Sequence, residues 1–81
     1  MDVKRMIRFD GEGSLKAWFD LEQDGLLVRG CRVIKGKQGL FVRMPRMQGK
    51  DGQWYETVSL RTKELVTQVE QAAREAYRNM E

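Results

Sequence analysis

The chain has 81 residues, 33% of them charged, and its 15 Lys and Arg against 12 Asp and Glu give a formal net charge of +3. A chain this short has a small core, so we predict one domain over residues 1–81 that forms a homodimer. One cysteine and no histidine argue against an intrachain disulfide and a Cys/His zinc set. No apolar run exceeds three residues, which predicts no membrane span and favours the cytoplasm.

Two alternating segments predict the first two strands. In the first, the pattern from Val3 onward predicts that Ile7 and Phe9 face the core. The second runs from Ser14 to Glu22 and places four apolar side chains on one face, namely Leu15, Ala17, Phe19 and Leu21. Trp18 lies on the polar face of this strand, where it either packs under a helix or a partner chain or contacts a ligand. We favour packing, because large aromatic side chains dominate cores and interfaces.

A Gln-Asp-Gly turn precedes a long third strand, predicted from Leu26 to Lys35, which could pair with a partner at a sheet edge. Beyond Gly30 the apolar positions shift by one residue to Cys31 and Val33, as an inserted residue would cause. We therefore predict a β-bulge at Gly30. Cys31 is expected to be a buried small hydrophobe rather than a reactive thiol.

The third and fourth strands are predicted to form a β-hairpin whose turn carries Gly36 and Gly39. The fourth strand runs from Gly39 to Met44, and Pro45 ends it because proline cannot donate to the ladder. Alternation places Leu40, Val42 and Met44 on one face and Phe41 and Arg43 on the other.

The last third of the chain predicts a mobile loop at residues 46–52, a fifth strand at residues 53–58 and a helix from Lys63 to about Asn79. Ser59 and Thr62 are both candidates for the helix N-cap. Apolar residues recur at helical spacing on one face of the helix; they are Leu65, Val66, Val69, Ala72, Ala73, Ala76, Tyr77 and Met80. The predicted class is α+β, with an antiparallel sheet of about five strands and a C-terminal helix packed on it.

Charge is segregated along the chain. Five acidic residues and one lysine lie between Asp10 and Asp24, whereas seven Lys or Arg and no acid lie between Leu26 and Lys50. Basic side chains on a strand can simply keep its edge soluble. They also bind phosphates by releasing condensed counterions, and arginine matches phosphate oxygens with its planar fork. The absence of compensating acids favours an anionic partner.

The hairpin also carries a family resemblance. The pair Val33-Ile34, then Gly36, the run from Gly39 to Val42 and the pair Met44-Pro45 resemble the signature of the stage V sporulation protein G (SpoVG) family. An Asp-Gly pair and an aromatic residue follow at the expected distance. Two departures are Arg46, where the family usually has Ser, and Ser59-Leu60, where it usually has His-Pro. The resemblance implies a small dimeric DNA- and RNA-binding regulator connected with septation, sporulation and gene expression.

An enzyme is not expected. Without histidine, and with carboxylates scattered over turns, no nucleophile and base pair or metal set can be assembled. The segment from Lys35 to Gly39 is similar to a phosphate loop, but it lacks the Gly-Lys-Ser/Thr ending and leads into a strand. We therefore predict no cofactor, no metal and no small-molecule substrate.

The predicted interface binds DNA, RNA or both through phosphates, with the DNA-against-RNA preference left open. Its candidate residues are Lys35, Lys37, Arg43, Arg46, Lys50, Arg61 and Lys63. The last two are included because the free N–H groups at a helix N-terminus favour an anion. The alternative is a protein-interaction adaptor that docks through a sheet edge without nucleic acid.

Overall fold

The computed structural model describes residues 1–80, which form a four-stranded sheet, a separate two-stranded sheet and one helix. The strands are β1 (Asp2–Arg8), β2 (Leu15–Gln23), β3 (Leu26–Gly36), β4 (Gly39–Arg43), β5 (Arg46–Gln48) and β6 (Trp54–Glu56), followed by helix α1 (Lys63–Arg78). The larger sheet is antiparallel in the order β1-β2-β3-β4. This confirms the α+β class and the C-terminal helix. The third strand pairs on both sides, so it has no free edge.

The core lies between one face of the four-stranded sheet and α1. Its buried residues are Ala17, Phe19, Leu21, Cys31, Val33 and Met44 from the sheet side with Val69 and Ala73 of the helix. Alternation along β2 produces this face as predicted, except that Leu15 lies outside the core. A register shift between Leu15 and Ala17 places Leu15 opposite Ile34 instead.

The predicted bulge at Gly30 is confirmed. The β2–β3 register shifts between Phe19 and Leu21, and Gly30 has a φ of 83°, a left-handed conformation that glycine adopts without strain. The Gly30 N–H donates to Oδ1 of Asp20 at 3.3 Å. The extra residue turns Cys31 into the core, where it is fully buried.

The predicted inward orientation of Ile7 and Phe9 is wrong. Arg5 has a φ of 51°, and the β1–β2 register shifts between Lys4 and Ile7. This irregularity reverses the side-chain alternation, so Ile7 lies opposite Trp18 and is 49% exposed. On β1, Val3 and Met6 pack against the core instead.

The predicted mobile loop at residues 46–52 is also wrong, because residues 46–48 form β5. It pairs antiparallel with β6, the shortened form of the predicted fifth strand. The turn is closed by hydrogen bonds from the Gly49 N–H to the Gln53 carbonyl and from the Gly52 N–H to the Gly49 carbonyl. Two strands of three residues each are too short for the alternation of their side chains to be read from the sequence.

Thr62 is the N-cap of helix α1, which resolves the choice between the two candidates. The Thr62 Oγ1 accepts a hydrogen bond from the Leu65 N–H at 3.1 Å. The helix ends near the predicted residue, with Asn79 as its C-cap. Met80, the last residue of the predicted apolar face, lies beyond the helix and is 38% exposed.

Two helix side chains cover the outer edge of β4. The Arg74 Nε donates to the Leu40 carbonyl at 3.0 Å, and the Glu70 Oε2 accepts from the Val42 N–H at 3.5 Å. Glu70 and Arg74 also form the predicted i,i+4 ion pair at 3.3 Å. Backbone groups of the edge strand thus have partners within the same chain.

Candidate functional site

The four-stranded sheet has a second face that points away from α1, which we call the open face. Backbone pairing places Ile7, Trp18, Arg32 and Arg43 side by side in one row across β1 to β4. The next pair of the hairpin on the same face is Ile34 with Phe41. All of these positions alternate with core positions on their strands, so their side chains project from the open face.

Three arginines crowd together at one side of the open face. Arg32 lies directly opposite Arg43, the last residue of β4, and Arg46 follows three residues later as the first residue of β5. Burial lowers the pKa of Arg32 from its usual value, and the charges of Arg46 and Arg43 lower it further. Like charges in directly opposite positions destabilise a sheet. The cluster therefore gains from binding an anion.

Within residues 1–80, no carboxylate forms an ion pair with any of these three arginines. The ion pairs formed there by Asp20 and Glu70 go to Arg5 and Arg74 instead. Glu56 lies opposite Arg46 in the register of the second hairpin but forms no ion pair with it. Three guanidinium groups are consequently available to an anion from outside the described residues.

Aromatic rings accompany two of these arginines. The Arg43 guanidinium carbon lies 5.5 Å from the centroid of Phe41, and the Arg46 guanidinium carbon lies 5.5 Å from that of Trp54. Trp54 is 57% exposed. The Phe41 ring lies against the backbone of Gly36, where an added Cβ would approach the ring to 2.9 Å. The arrangement occurs twice, a cation over a ring that is exposed at Trp54 and half-buried at Phe41.

Two adjoining depressions cover this side of the molecule. One, of about 430 Å³, is lined by Arg32, Phe41, Arg43 and Arg46 together with Lys35. The other, of about 520 Å³, is lined by Arg29, Arg32, Arg46 and Trp54. Because Arg32 and Arg46 line both, the two depressions form one basic, aromatic surface.

The structure brings three of the seven candidate residues together, since Lys35, Arg43 and Arg46 line one depression. The other four lie elsewhere. Lys37 is in the β3–β4 turn beside Glu70 and Arg74, Lys50 is in the β5–β6 turn, and Arg61 and Lys63 are at the start of α1. All four are exposed.

Sequence reasoning missed Arg29, Arg32 and the two rings as members of this surface. Arg32 has the same strand parity as Ile34, and cross-strand pairing was needed to place it beside Arg43. The sequence did single out Trp18, because this large aromatic residue lies on the polar face of its strand. It packs edge-on against Phe9, with ring centroids 5.1 Å apart, and lies on the open face rather than under the helix.

An apolar cavity of about 200 Å³ lies on the helix side of the sheet. Its lining includes Leu21, Leu26, Val28 and Met44. Leu26 is 64% exposed. Among residues 1–80, no helix has the length and apolarity needed to cross a membrane, and no three acidic, cysteine or histidine side chains group in a way that could hold a metal ion.

Comparison with known proteins gives a consistent picture. The family model for SpoVG matches residues 1–79. A relative from Archaeoglobus fulgidus, named "Putative septation protein SpoVG", is 31% identical over 78 residues, which are 95% of this chain and 92% of the relative. Relatives of the same name from Symbiobacterium thermophilum and Bdellovibrio bacteriovorus are 36% and 37% identical over 90% and 82% of this chain. The chain spans 53% and 62% of the lengths of these two relatives.

Proposed function

This chain belongs to the SpoVG family, and from that premise we propose that it is a small regulatory protein that binds DNA, RNA or both and acts on gene expression linked to septation and sporulation. One observation carries the proposal. Arg32, Arg43 and Arg46 converge on the open face without a carboxylate partner in residues 1–80.

The chemistry of this cluster suits phosphate. Arginine stays charged at neutral pH and presents parallel N–H donors that match two phosphate oxygens. Lys35 lines the same depression and adds positive charge at its border, although its pairing with Leu40 directs its side chain to the other face of the sheet. Binding by such a set depends on counterion release rather than on base identity, so the affinity should be similar for many sequences and should fall with salt.

The start of α1 supplies a second group of donors. Thr62 occupies the N-cap, and the first turn leaves backbone N–H groups exposed between Arg61 and Glu64. Such N–H groups and the helix dipole favour a phosphate, and Arg61 and Lys63 add charge beside them. We propose that this site extends the interface to phosphates beyond the open face.

We further propose that the protein is a homodimer. Within residues 1–80 the core contains only eight buried hydrophobic residues, among them two alanines and one cysteine. The exposed Leu26 and the adjoining apolar cavity present apolar surface that a second copy could cover. Two interfaces in one assembly would engage more phosphates than either one alone.

Charge reversal in the proposed interface tests the function. For the wild type, neutralising about six phosphates gives a slope of about −5 when the logarithm of duplex affinity is plotted against the logarithm of salt, and a shallower slope on single strands. The double variant Arg46→Glu, Lys50→Glu should bind more weakly with a smaller slope. As a control, Arg78→Glu reverses a charge in the last turn of α1, away from the proposed interface, and should bind like the wild type.

Unchanged affinity and slope in a folded Arg46→Glu, Lys50→Glu variant would contradict the proposal. The basic hairpin would then serve only to keep the protein soluble. The adaptor alternative predicts instead a salt-insensitive complex with one protein. Because Glu70 and Arg74 bond to the outer edge of β4, an added strand would have to pair with β1 or with the two-stranded sheet of β5 and β6.

A further inference from the structure

Resting on the nucleic-acid-binding function proposed above, we infer that the open face selects single-stranded nucleic acid by stacking unpaired bases on Trp54 and Phe41. The arginine beside each ring then binds the adjoining phosphate. The inference names both the form of nucleic acid and the residues that distinguish it.

The open face carries two pairs of an arginine and an aromatic ring. Arg43 stands over Phe41 and Arg46 stands over Trp54 at the same distance of 5.5 Å. The guanidinium covers one face of each ring, so a base would stack on the opposite face, with its phosphate near the same arginine. Trp54 is the more exposed of the two rings, so we expect it to make the larger contribution. Stacking on aromatic rings tolerates any base, because every base has a π-face.

The Trp54 ring is accessible to a ligand. Trp54 is 57% exposed, and the one hydrogen-bonded partner strand of β6 is β5. Alternation in this hairpin places Trp54 on the same side as Arg46, whereas Tyr55 and Met47 project from the other side. An exposed tryptophan beside uncompensated arginines is costly to leave facing water and fits a ligand with both apolar and anionic parts.

Duplex nucleic acid cannot make the proposed stacking contacts. The bases of a duplex are stacked on each other and paired, so their faces are closed to protein rings. A duplex can bind to the arginines but gains nothing from Phe41 or Trp54. Single strands therefore have an additional contribution that duplexes lack.

The experiment uses three fluorescent probes with equal numbers of phosphates: an oligothymidylate, a strand of abasic phosphodiesters and a blunt duplex. The wild type is expected to bind the oligothymidylate more tightly than the abasic strand. Loss of one stacked base in Trp54→Leu should weaken oligothymidylate binding by about 5- to 150-fold while leaving the abasic strand and the duplex within about two-fold. Phe41→Leu should act in the same direction, and Trp54→Phe should restore most of the affinity because it restores a ring.

Met47→Ala is the matched control, since it removes an exposed apolar side chain from the other side of the same hairpin and should leave all three affinities unchanged. Circular dichroism verifies that each variant is folded. If Trp54→Leu and Phe41→Leu bind the oligothymidylate like the wild type, or if the abasic strand binds equally well, the stacking inference is overturned while phosphate binding stands. If no probe binds in a salt-dependent manner, the proposed function fails together with the inference.

Discussion

Arg32 and Arg43 occupy directly opposite positions on β3 and β4, so two guanidinium groups meet where a sheet ordinarily places complementary side chains. Arg46 adds a third positive charge close enough to lower the pKa of Arg32, after burial, which is the larger cause. The free protein is therefore held in an arrangement that an anion would stabilise. Stability and binding should respond in opposite directions when this crowding is relieved.

Arg32→Gln is expected to stabilise the free protein by about 0.5 kcal/mol at low salt, because it removes one of the two opposed charges. The gain should shrink at high salt, where the repulsion is screened. Denaturant unfolding at two salt concentrations measures both effects. Arg61→Gln, in an exposed position before the helix, serves as control and should change the free energy of unfolding by less. A variant that is destabilised equally at both concentrations would show that Arg32 contributes mainly by packing.

Thr62→Ala should destabilise the protein by about 1 kcal/mol, since the Leu65 N–H then loses the Thr62 Oγ1 as its acceptor. Ser59→Ala provides the comparison, because Ser59 lies three residues before the N-cap and its hydroxyl does not cap the helix. Thermal or denaturant unfolding of the two variants decides the matter. Equal losses from both substitutions would contradict the assignment of Thr62 as the N-cap.

The Tyr55 hydroxyl donates to the carboxylate of Asp51 across the turn of the second hairpin. This hydrogen bond raises the pKa of Tyr55 and lowers the pKa of Asp51. Asp51→Asn should therefore bring the Tyr55 pKa back towards its usual value of 10.0. Ultraviolet titration of the phenol measures the shift, with Tyr55→Phe identifying which signal belongs to this residue.

The same pair predicts how pH acts on the second hairpin. Because the folded Tyr55 pKa is raised, its contribution is complete below the usual phenol pKa and is lost as pH rises through the higher folded value. Because the folded Asp51 pKa is lowered, its contribution is complete above the usual carboxyl pKa and is lost as pH falls through the lower folded value. The hairpin should be most stable between these limits, and amide exchange of β5 and β6 would show it.

Cys31→Ser is expected to cost about 1 to 3 kcal/mol, because it places a hydroxyl in a fully buried apolar site. Burial, with a smaller effect of Asp20, raises the pKa of the Cys31 thiol to about 11. The folded protein should thus react slowly with thiol reagents at neutral pH and rapidly after denaturation. The contribution of the neutral thiol to stability is lost as pH rises through this value. Fast labelling of the native protein would contradict the burial.

The mass in solution should be that of a homodimer, the remedy we expect for a core of this size. Light scattering on a sizing column measures it. Leu26→Lys places a charge on the most exposed large apolar side chain beside the apolar cavity, and it should shift the mass towards a monomer. A monomeric wild type at micromolar concentration would refute the proposal.

Local patterns were sufficient to predict the elements that alternate or repeat over many residues. The face of β2, the bulge at Gly30 and the length of α1 followed from periods of two and 3.6. Ile7 was misplaced because the left-handed conformation of Arg5 reverses the alternation, and arginine gives no sign of such a conformation in a sequence.

The candidate site was harder to predict, because it depends on contacts between strands. The charge of the first hairpin pointed to the stretch that carries the arginine cluster, and two of its members, Arg43 and Arg46, were among the candidate residues. Arg32 became a member only when pairing placed it between Trp18 and Arg43. Trp54 belongs to this surface because the hairpin of β5 and β6 places its ring against the Arg46 guanidinium. Neither relation is contained in the spacing of residues along the chain.

The hydrogen bonds from Glu70 and Arg74 to β4 also limit how copies of this protein can assemble. A sheet with two unpaired edges can keep adding strands at both edges and grow into a fibre. Here the helix of the same chain bonds to two backbone groups of β4, so within the four-stranded sheet β1 is the edge left to pair with another copy. Two such sheets joined through β1 would have no further free edge, and growth by strand addition to the four-stranded sheet would stop at two copies.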